Sequence, residues 1–280
     1  MVLIEMRDVS KAFLANKRKA QAQVVLEHAN LSIEEGEFVS LIGPSGCGKT
    51  VSLSMMAGFL APTQGEVLFR GAPVESPGPE RGVVFQEYSL FPWLSVLQNV
   101  MFALENATRA QGRSWDTKRG EARSRAALAQ VGLEDKADMR PNTLSGGMKQ
   151  RVAIARLLAM DSEVFLMDEP FSALDEQTRG RLDESLRRLW LKKRKTVVFV
   201  THNISEAVAV SSRIVLFSGS PGTILREWRL PEDMDRCKTS AEVTALSAEI
   251  LDCMPFDSAS FGNAERYRRQ KTTRKEGKKA

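Results

Sequence analysis

Cysteine is scarce in this chain: Cys47, Cys237 and Cys253 are odd in number and scattered over 280 residues. That argues against a disulfide framework and against a zinc site built from paired ligands, and it fits a reducing compartment. Long apolar runs are lacking as well. The longest uncharged stretch, residues 88–104, is interrupted by Pro92, Gln98 and Asn99 and falls short of the roughly 20 apolar residues needed to span a bilayer. Met1-Val2-Leu3-Ile4-Glu5 offers no basic segment followed by an apolar one, so no secretion signal is expected and the chain is expected to stay in the cytoplasm. Nor is the body basic. The formal charge is +5, but residues 265–280 hold eight Lys/Arg against two Glu, so the rest of the chain carries one net negative charge. The tail reads as a solvated, disordered end, and no nucleic-acid partner is expected. What is present, 42% hydrophobic and 27% charged residues, suffices for one large globular domain or two small ones.

One stretch organises the rest. Gly43-Pro44-Ser45-Gly46-Cys47-Gly48-Lys49-Thr50 follows the apolar run Phe38-Val39-Ser40-Leu41-Ile42 and leads into Val51-Ser52-Leu53-Ser54-Met55-Met56. A buried strand thus turns through glycines into a helix, the setting of a phosphate-binding loop. Glycines let successive N–H groups curl around an anion, the helix N-terminus adds positive potential, and Lys49 adds a formal charge. Such a nest fits a nucleotide β/γ-phosphate and leaves the Thr50 hydroxyl to ligate Mg²⁺.

Around this loop, residues 3–9 and 24–33 alternate like half-buried antiparallel strands, with a Lys-rich surface loop expected at 15–23. Phe13, just before that loop, suits either stacking on an adenine ring or plain strand packing. Gly82-Val83-Val84-Phe85 reads as a buried strand ending at Gln86, an amide able to accept from a metal-bound water and donate to a phosphate oxygen. Helical patterns follow from Leu94 to Gly132, broken at Gln111-Gly112-Arg113. They close at Pro141-Asn142-Thr143, before Leu144-Ser145-Gly146-Gly147-Met148-Lys149-Gln150-Arg151 opens a further helix. Ser145, Gly146 and Gly147 make a second anion site at a helix N-terminus. Glu163-Val164-Phe165-Leu166-Met167 ends in Asp168-Glu169, where Asp168 suits the Mg²⁺ shell and Glu169 suits orienting or deprotonating a water. Another apolar strand, Thr196-Val197-Val198-Phe199-Val200, ends in Thr201-His202, which places His202 beside the phosphates. Farther on, Val243, Leu246, Ile250 and Met254 share one face of an amphipathic helix expected to pack on the preceding domain.

Taken in order, Gly43 to Thr50, Gln86, Leu144-Ser145-Gly146-Gly147, Asp168-Glu169, Ser172-Ala173-Leu174-Asp175 and His202 resemble the motif set of an ABC-type ATPase cassette over about residues 3–229. The resemblance implies an α/β P-loop fold: a RecA-like mixed or parallel sheet core, an N-terminal antiparallel β subdomain and an inserted helical subdomain. On that basis residues 1–235 form the cassette, with the helical subdomain at about 90–160, a helical extension at 236–264 and the basic tail beyond. It further implies a head-to-tail dimer in which Lys49 and Thr50 act in cis and Ser145 and Gly147 in trans on each ATP. Glu169 polarises water, Lys49, His202 and Mg²⁺ hold the γ-phosphate, and Gln86 reports on it.

The segment from Arg81 through Gln86, Phe91, Pro92 and Trp93 to Leu94 is similar to importer cassettes of the nitrate/sulfonate/taurine group, as are Met148 to Arg151 and Phe171 to Asp175. This implies a peripheral subunit on the cytoplasmic face of the inner membrane, a second ATPase subunit, membrane permease subunits, and a substrate-binding protein that sets the solute. Phe91, Pro92 and Trp93 would grip the permease, or else Trp93 would join a core cluster. An exporter cassette shares the same machinery. A soluble ABC ATPase serving nucleic acid usually brings long heptads or a second P-loop, and this chain has neither. Two positions depart from the group: Asn203 stands where Asp is usual, and Phe13 where Tyr is usual.

Overall fold

The computed structural model describes residues 1–14, 22–172, 174–237 and 240–255; the basic tail and most of the loop expected at 15–23 lie outside the described residues. Two long strands open the chain, β1 (Val2–Leu14) and β2 (Ala22–Glu34), paired antiparallel. They run past the alternation read at residues 3–9 because register shifts follow Met6 and Val9. An extra residue at such a bulge breaks the two-residue period without ending the strand. Strand β3 (Phe38–Ile42) leads into helix α1 (Lys49–Ala57), followed by β4 (Gln64–Phe69), the short β5 (Ala72–Pro73) and β6 (Arg81–Val84). Three helices come next: α2 (Val96–Ala110), α3 (Thr117–Gln130) and α4 (Gly146–Met160). The chain then returns through β7 (Val164–Asp168), α5 (Glu176–Lys193), β8 (Thr196–Val200), α6 (Ile204–Val210), β9 (Arg213–Phe217), β10 (Ile224–Arg229) and α7 (Ala241–Cys253).

Two sheets result. An antiparallel one has the order β2-β1-β4-β5, and a six-stranded one has the order β10-β9-β3-β8-β7-β6. In the larger sheet β9, β3, β8, β7 and β6 run parallel, with β10 antiparallel at the edge. Every residue of β3, β7, β8 and β9 is buried, which is why these segments read as continuous apolar runs rather than alternations. Phe38, Phe165, Phe171, Phe199 and Phe217 are wholly enclosed. Each contributes about 1.5–3 kcal/mol relative to exposure. The fold class is thus α/β with a mixed sheet, an antiparallel N-terminal sheet, and helices α2 to α4 packed on one another, with α4 also on β6.

Boundaries differ from the sequence reading in places. Strand β6 stops at Val84; Phe85 leaves the sheet, 37% exposed, to pack against Phe59 with ring centroids 5.6 Å apart. Helix α6 was not anticipated, being only seven residues long and capped by the Asn203 side chain, which accepts from Glu206 N. Helix α7, capped by Ser240, buries Val243 and Ile250 in a cluster with Ile42, Trp228 and Leu230. No helix among the described residues is long and apolar enough to cross a membrane.

Candidate active site

The order of the larger sheet builds the site. Strands β3, β8, β7 and β6 are successive parallel neighbours. Their C-terminal ends carry, in that order, the glycine-rich loop, Thr201-His202, Asp168-Glu169 and the Gln86 segment. At about 4.8 Å per strand these four groups span roughly 15 Å, the scale of a nucleoside triphosphate bound at the carboxyl edge of an α/β sheet.

In the loop, Gly43, Gly46 and Gly48 have φ of +149°, +79° and +93°. A side chain is strained at each, and at Gly48 a Cβ would press on Leu26 and the Val25 carbonyl at 3.2 and 3.3 Å. At Gly46 a Cβ would meet nothing within 4 Å, so the glycine there serves the backbone conformation and not a close contact. Lys49 is buried, 7% exposed, with Nζ donating to the Gly43 and Pro44 carbonyls at 2.9 and 2.8 Å and lying 3.6 Å from Cys47 Sγ. An ammonium held inside its own loop is poised for an anion that the loop encloses. Burial raises the Cys47 thiol above its ordinary pKa against the opposing pull of Lys49, so the thiol form is favoured.

Thr50 Oγ1 donates to Asp168 Oδ1 at 3.1 Å. Burial raises the Asp168 pKa, the Thr50 hydrogen bond opposes it, Glu169 adds to it, and Lys49 opposes it. A carboxylate destabilised in this way gains from a nearby cation. The donors here are all hard oxygens, and no group of three His, Cys, Asp or Glu side chains is disposed to hold a metal among the described residues. That set fits Mg²⁺, which takes one or two protein oxygens and completes its shell with waters and phosphate oxygens. Gln86 is exposed two residues beyond β6 and is not joined by a hydrogen bond to Thr50 or Asp168.

Glu169 sits just past β7 with φ +43°, a strained value for a side-chain-bearing residue. Its N–H donates to Val200 O at 2.9 Å, and its carbonyl accepts from Ser172 N at 3.2 Å and Ser172 Oγ at 3.0 Å. Its carboxylate Oε2 lies 3.2 Å from His202 Nδ1, with side-chain exposures of 23% and 66%. The structure therefore brings Glu169 and His202 together. Behind them, Thr201 Oγ1 donates to the buried Glu206 carboxylate and accepts from Asn203 N at 3.0 Å. Asn203, the departure from Asp, makes its cap with an amide oxygen, so that contact does not require a carboxylate.

Ser145 caps α4, accepting from Met148 N at 3.3 Å, and is exposed. A Cβ at Gly147 would lie 2.6 Å from Leu174 Cδ2, so the Leu174 side chain packs directly against this glycine. This turn does not join the phosphate loop within the chain: α1 packs on β4, β6, β7 and β8, whereas α4 packs on α2, α3 and β6. Phe13 is 40% exposed with Lys11 Nζ 5.2 Å from its ring centroid, which leaves a ring face for a base.

Two positioning residues escaped the sequence reading. Arg179 of α5 donates to the Phe171 and Leu174 carbonyls at 3.3 and 2.9 Å, bracketing the turn after Glu169. Asn99, wholly buried, accepts from Phe91 N at 2.8 Å and donates to the Phe91, Leu94 and Ser95 carbonyls at 3.1, 3.3 and 2.9 Å. It moulds the segment carrying Phe91 and Trp93. Trp93 is 67% exposed, so it belongs to the surface and not to a core cluster. It forms a patch with Phe91, at 5.4 Å between ring centroids, and Phe102 lies 4.8 Å from Phe91.

Comparison with known proteins agrees with this geometry. Residues 26–172 match the family model described as ABC transporter. The chain is similar to the bicarbonate transport ATP-binding protein CmpD of Synechocystis, 43% identical over 81% of each protein. It is also similar to the taurine import ATP-binding protein TauB of Chromobacterium violaceum, 43% identical over 82% of this chain and 89% of that one. A solved structure, the dimeric post-hydrolysis state of the ATP-binding cassette MJ0796 bound to ADP and Pi, superposes with a TM-score of 0.73 at 33% identity. It covers 82% of this chain and 99% of that chain. With residues 43–50, Asp168-Glu169, His202 and the Ser145–Gly147 turn in order on this fold, the chain belongs to the ABC transporter family as an ATPase cassette.

Proposed function

We propose that this cassette energises import of a small anionic solute. In this reading it works as a homodimer on the cytoplasmic face of the inner membrane, with permease subunits and a substrate-binding protein. The observation that carries the reading is the convergence of the phosphate loop, Asp168-Glu169 and Thr201-His202 on one sheet edge, while the Ser145–Gly147 turn stays on α4. Half of an ATP site lies in each place. Lys49 and the N–H groups of residues 45–50 hold the β- and γ-phosphates, and Phe13 stacks on the adenine. Thr50 and Asp168, with Gln86 in the outer shell, would hold Mg²⁺, which when bound neutralises phosphate charge. Glu169 orients and deprotonates the attacking water, and His202 holds the γ-phosphate as charge shifts to its oxygens. Ser145 and Gly147 of a second copy close the site, and the dimeric ADP- and Pi-bound relative supports that assembly.

The cassette is proposed to span residues 1–235, its helical part about 90–160, with the extension from 236 to 264. The solute class rests on the relatives, since bicarbonate and taurine both carry a small anionic oxygen group. The patch of exposed Trp93 and Phe102 around half-buried Phe91 supplies an aromatic anchor for a permease. Co-purification of the tagged full chain from detergent-solubilised membranes tests this. A multi-span protein should be retained by the native chain and lost with the Phe91→Ala/Trp93→Ala pair, and the retained complex should hydrolyse ATP faster with bicarbonate or taurine. Equal retention by the double variant would remove the patch from the interface.

A further inference from the structure

Helices α4 and α5 face each other across a cavity of about 470 Å³ that the nucleotide chemistry does not use. Ile154 and Leu158 line it from α4, and Leu182, Leu186 and Leu189 from α5. Spacings of four, and of four then three, put each set on one helical face. Two such stripes ordinarily close on each other. Here α4 packs on α2, α3 and β6, and α5 packs on α6; Ile154, Leu158 and Leu186 are buried in one cluster with Leu182 and Leu189 against it, and a groove open to solvent remains between the stripes.

Charge at the cavity is one-sided. Arg188, Lys192 and Lys193 line it, and no acidic residue does. Arg188 is shared with Glu184 at 2.7 Å and Lys193 lies 3.8 Å from Asp161, both exposed pairs that solvent weakens. The volume falls within the roughly 300–1,000 Å³ typical of small-molecule sites, and dry apolar cavities near 150 Å³ already hold benzene. Leucine walls with a cationic rim match an alkyl chain that ends in an anion. A sequence as basic as residues 265–280, with eight Lys/Arg, lacks the charge complementarity to this rim that an anion has.

We propose that this cavity is a regulatory site for a free medium-chain fatty carboxylate, its chain against the leucines and its carboxylate at Arg188 and Lys192. Phe171 connects the site to catalysis. It is 1% exposed and lines both this cavity and the hollow formed by Glu169, Arg179 and His202. Only Pro170 separates it from Glu169, and its carbonyl is held by Arg179 Nε at 3.3 Å. A ligand pressing on Phe171 therefore bears on the turn that aims Glu169. Occupancy itself does not depend on the transport reading.

Titration calorimetry of the full chain with decanoate below its micelle concentration tests the site. One saturable site is expected, with decanol binding at least tenfold more weakly. The Arg188→Glu/Lys192→Glu pair should weaken decanoate at least tenfold and leave decanol unchanged, and Leu189→Trp should abolish binding of both. At saturation decanoate should change ATP turnover of the native chain at least twofold. No saturable binding, equal affinity for decanol, or binding only to phosphatidylglycerol vesicles overturns the proposal. Saturable binding with unchanged turnover overturns the regulatory role. Should Leu189→Trp fail to fold by thermal melting, the decanoate and decanol comparison on the native chain still decides the outcome.

Discussion

Gly222 offers a test of how the phosphate loop is seated, because it touches the loop from outside every nucleotide motif. The turn between β9 and β10 docks on β2 through two backbone hydrogen bonds, Glu27 N to Gly222 O and Gly222 N to Val25 O, both 2.8 Å. A Cβ at Gly222 would overlap the Cys47 carbonyl oxygen and lie 2.8 Å from its carbon. Both are backbone atoms of the glycine-rich loop proposed to hold the phosphates, so no side-chain rotation relieves the clash. Gly222→Ala must move either the turn or the loop. Overpacking of this kind costs about 1–3 kcal/mol. If half or more of that falls on loop geometry, ATP affinity drops about 2- to 140-fold, at roughly 1.4 kcal/mol per decade. Gly219→Ala, three residues earlier, meets nothing within 4 Å and serves as the control. Thermal melting and fluorescent-nucleotide titration read both variants. The reasoning is refuted if Gly222→Ala matches the native chain in melting temperature and affinity, or if Gly219→Ala is the more damaging change.

Asn99→Ala removes four hydrogen bonds around the Phe91–Ser95 segment and leaves the Phe91 N–H without that partner, a loss of about 1–3 kcal/mol. Denaturant titration should show that loss, and permease retention should fall while ATP binding by the isolated chain is kept. Asp168 has a raised pKa in the fold, so without nucleotide its ionisation opposes folding, and stability from this group increases as pH falls through the raised value toward 3.8. Asp168→Asn should therefore raise the melting temperature of the nucleotide-free chain at neutral pH, flatten its acid-side pH dependence, and abolish Mg²⁺-dependent stabilisation by ATP. A variant that melts lower at neutral pH would contradict this sign.

Most of the sheet could be read from the chain because buried parallel strands announce themselves as unbroken apolar runs. Phe38–Ile42, Val164–Asp168 and Thr196–Val200 do so, and each leads directly into residues of the site. Strand order then follows from pairing, which composition does not encode; only the structure sets Thr201-His202 between the phosphate loop and Asp168-Glu169. Arg179 and Asn99 were illegible for a related reason. Both act by donating to backbone carbonyls, and no side-chain pattern marks which carbonyl needs a donor. Phe85 misled because an apolar residue at a strand end reads the same whether it stays in the sheet or turns out to meet Phe59.

In the proposed function the ATP site is divided between two copies, with Glu169 as the base for hydrolysis of the ligand that holds them together. General-base catalysis of this kind is worth roughly 10²–10⁴ in rate, so Glu169→Gln should bind ATP and turn it over at least a hundredfold more slowly. Light scattering on that variant with Mg-ATP is the most direct measurement. Glu169→Gln should run at the mass of a dimer, and Glu169→Gln/Ser145→Arg should bind ATP through its intact phosphate loop yet remain a monomer. A double variant that dimerises as fully as Glu169→Gln would contradict the divided site.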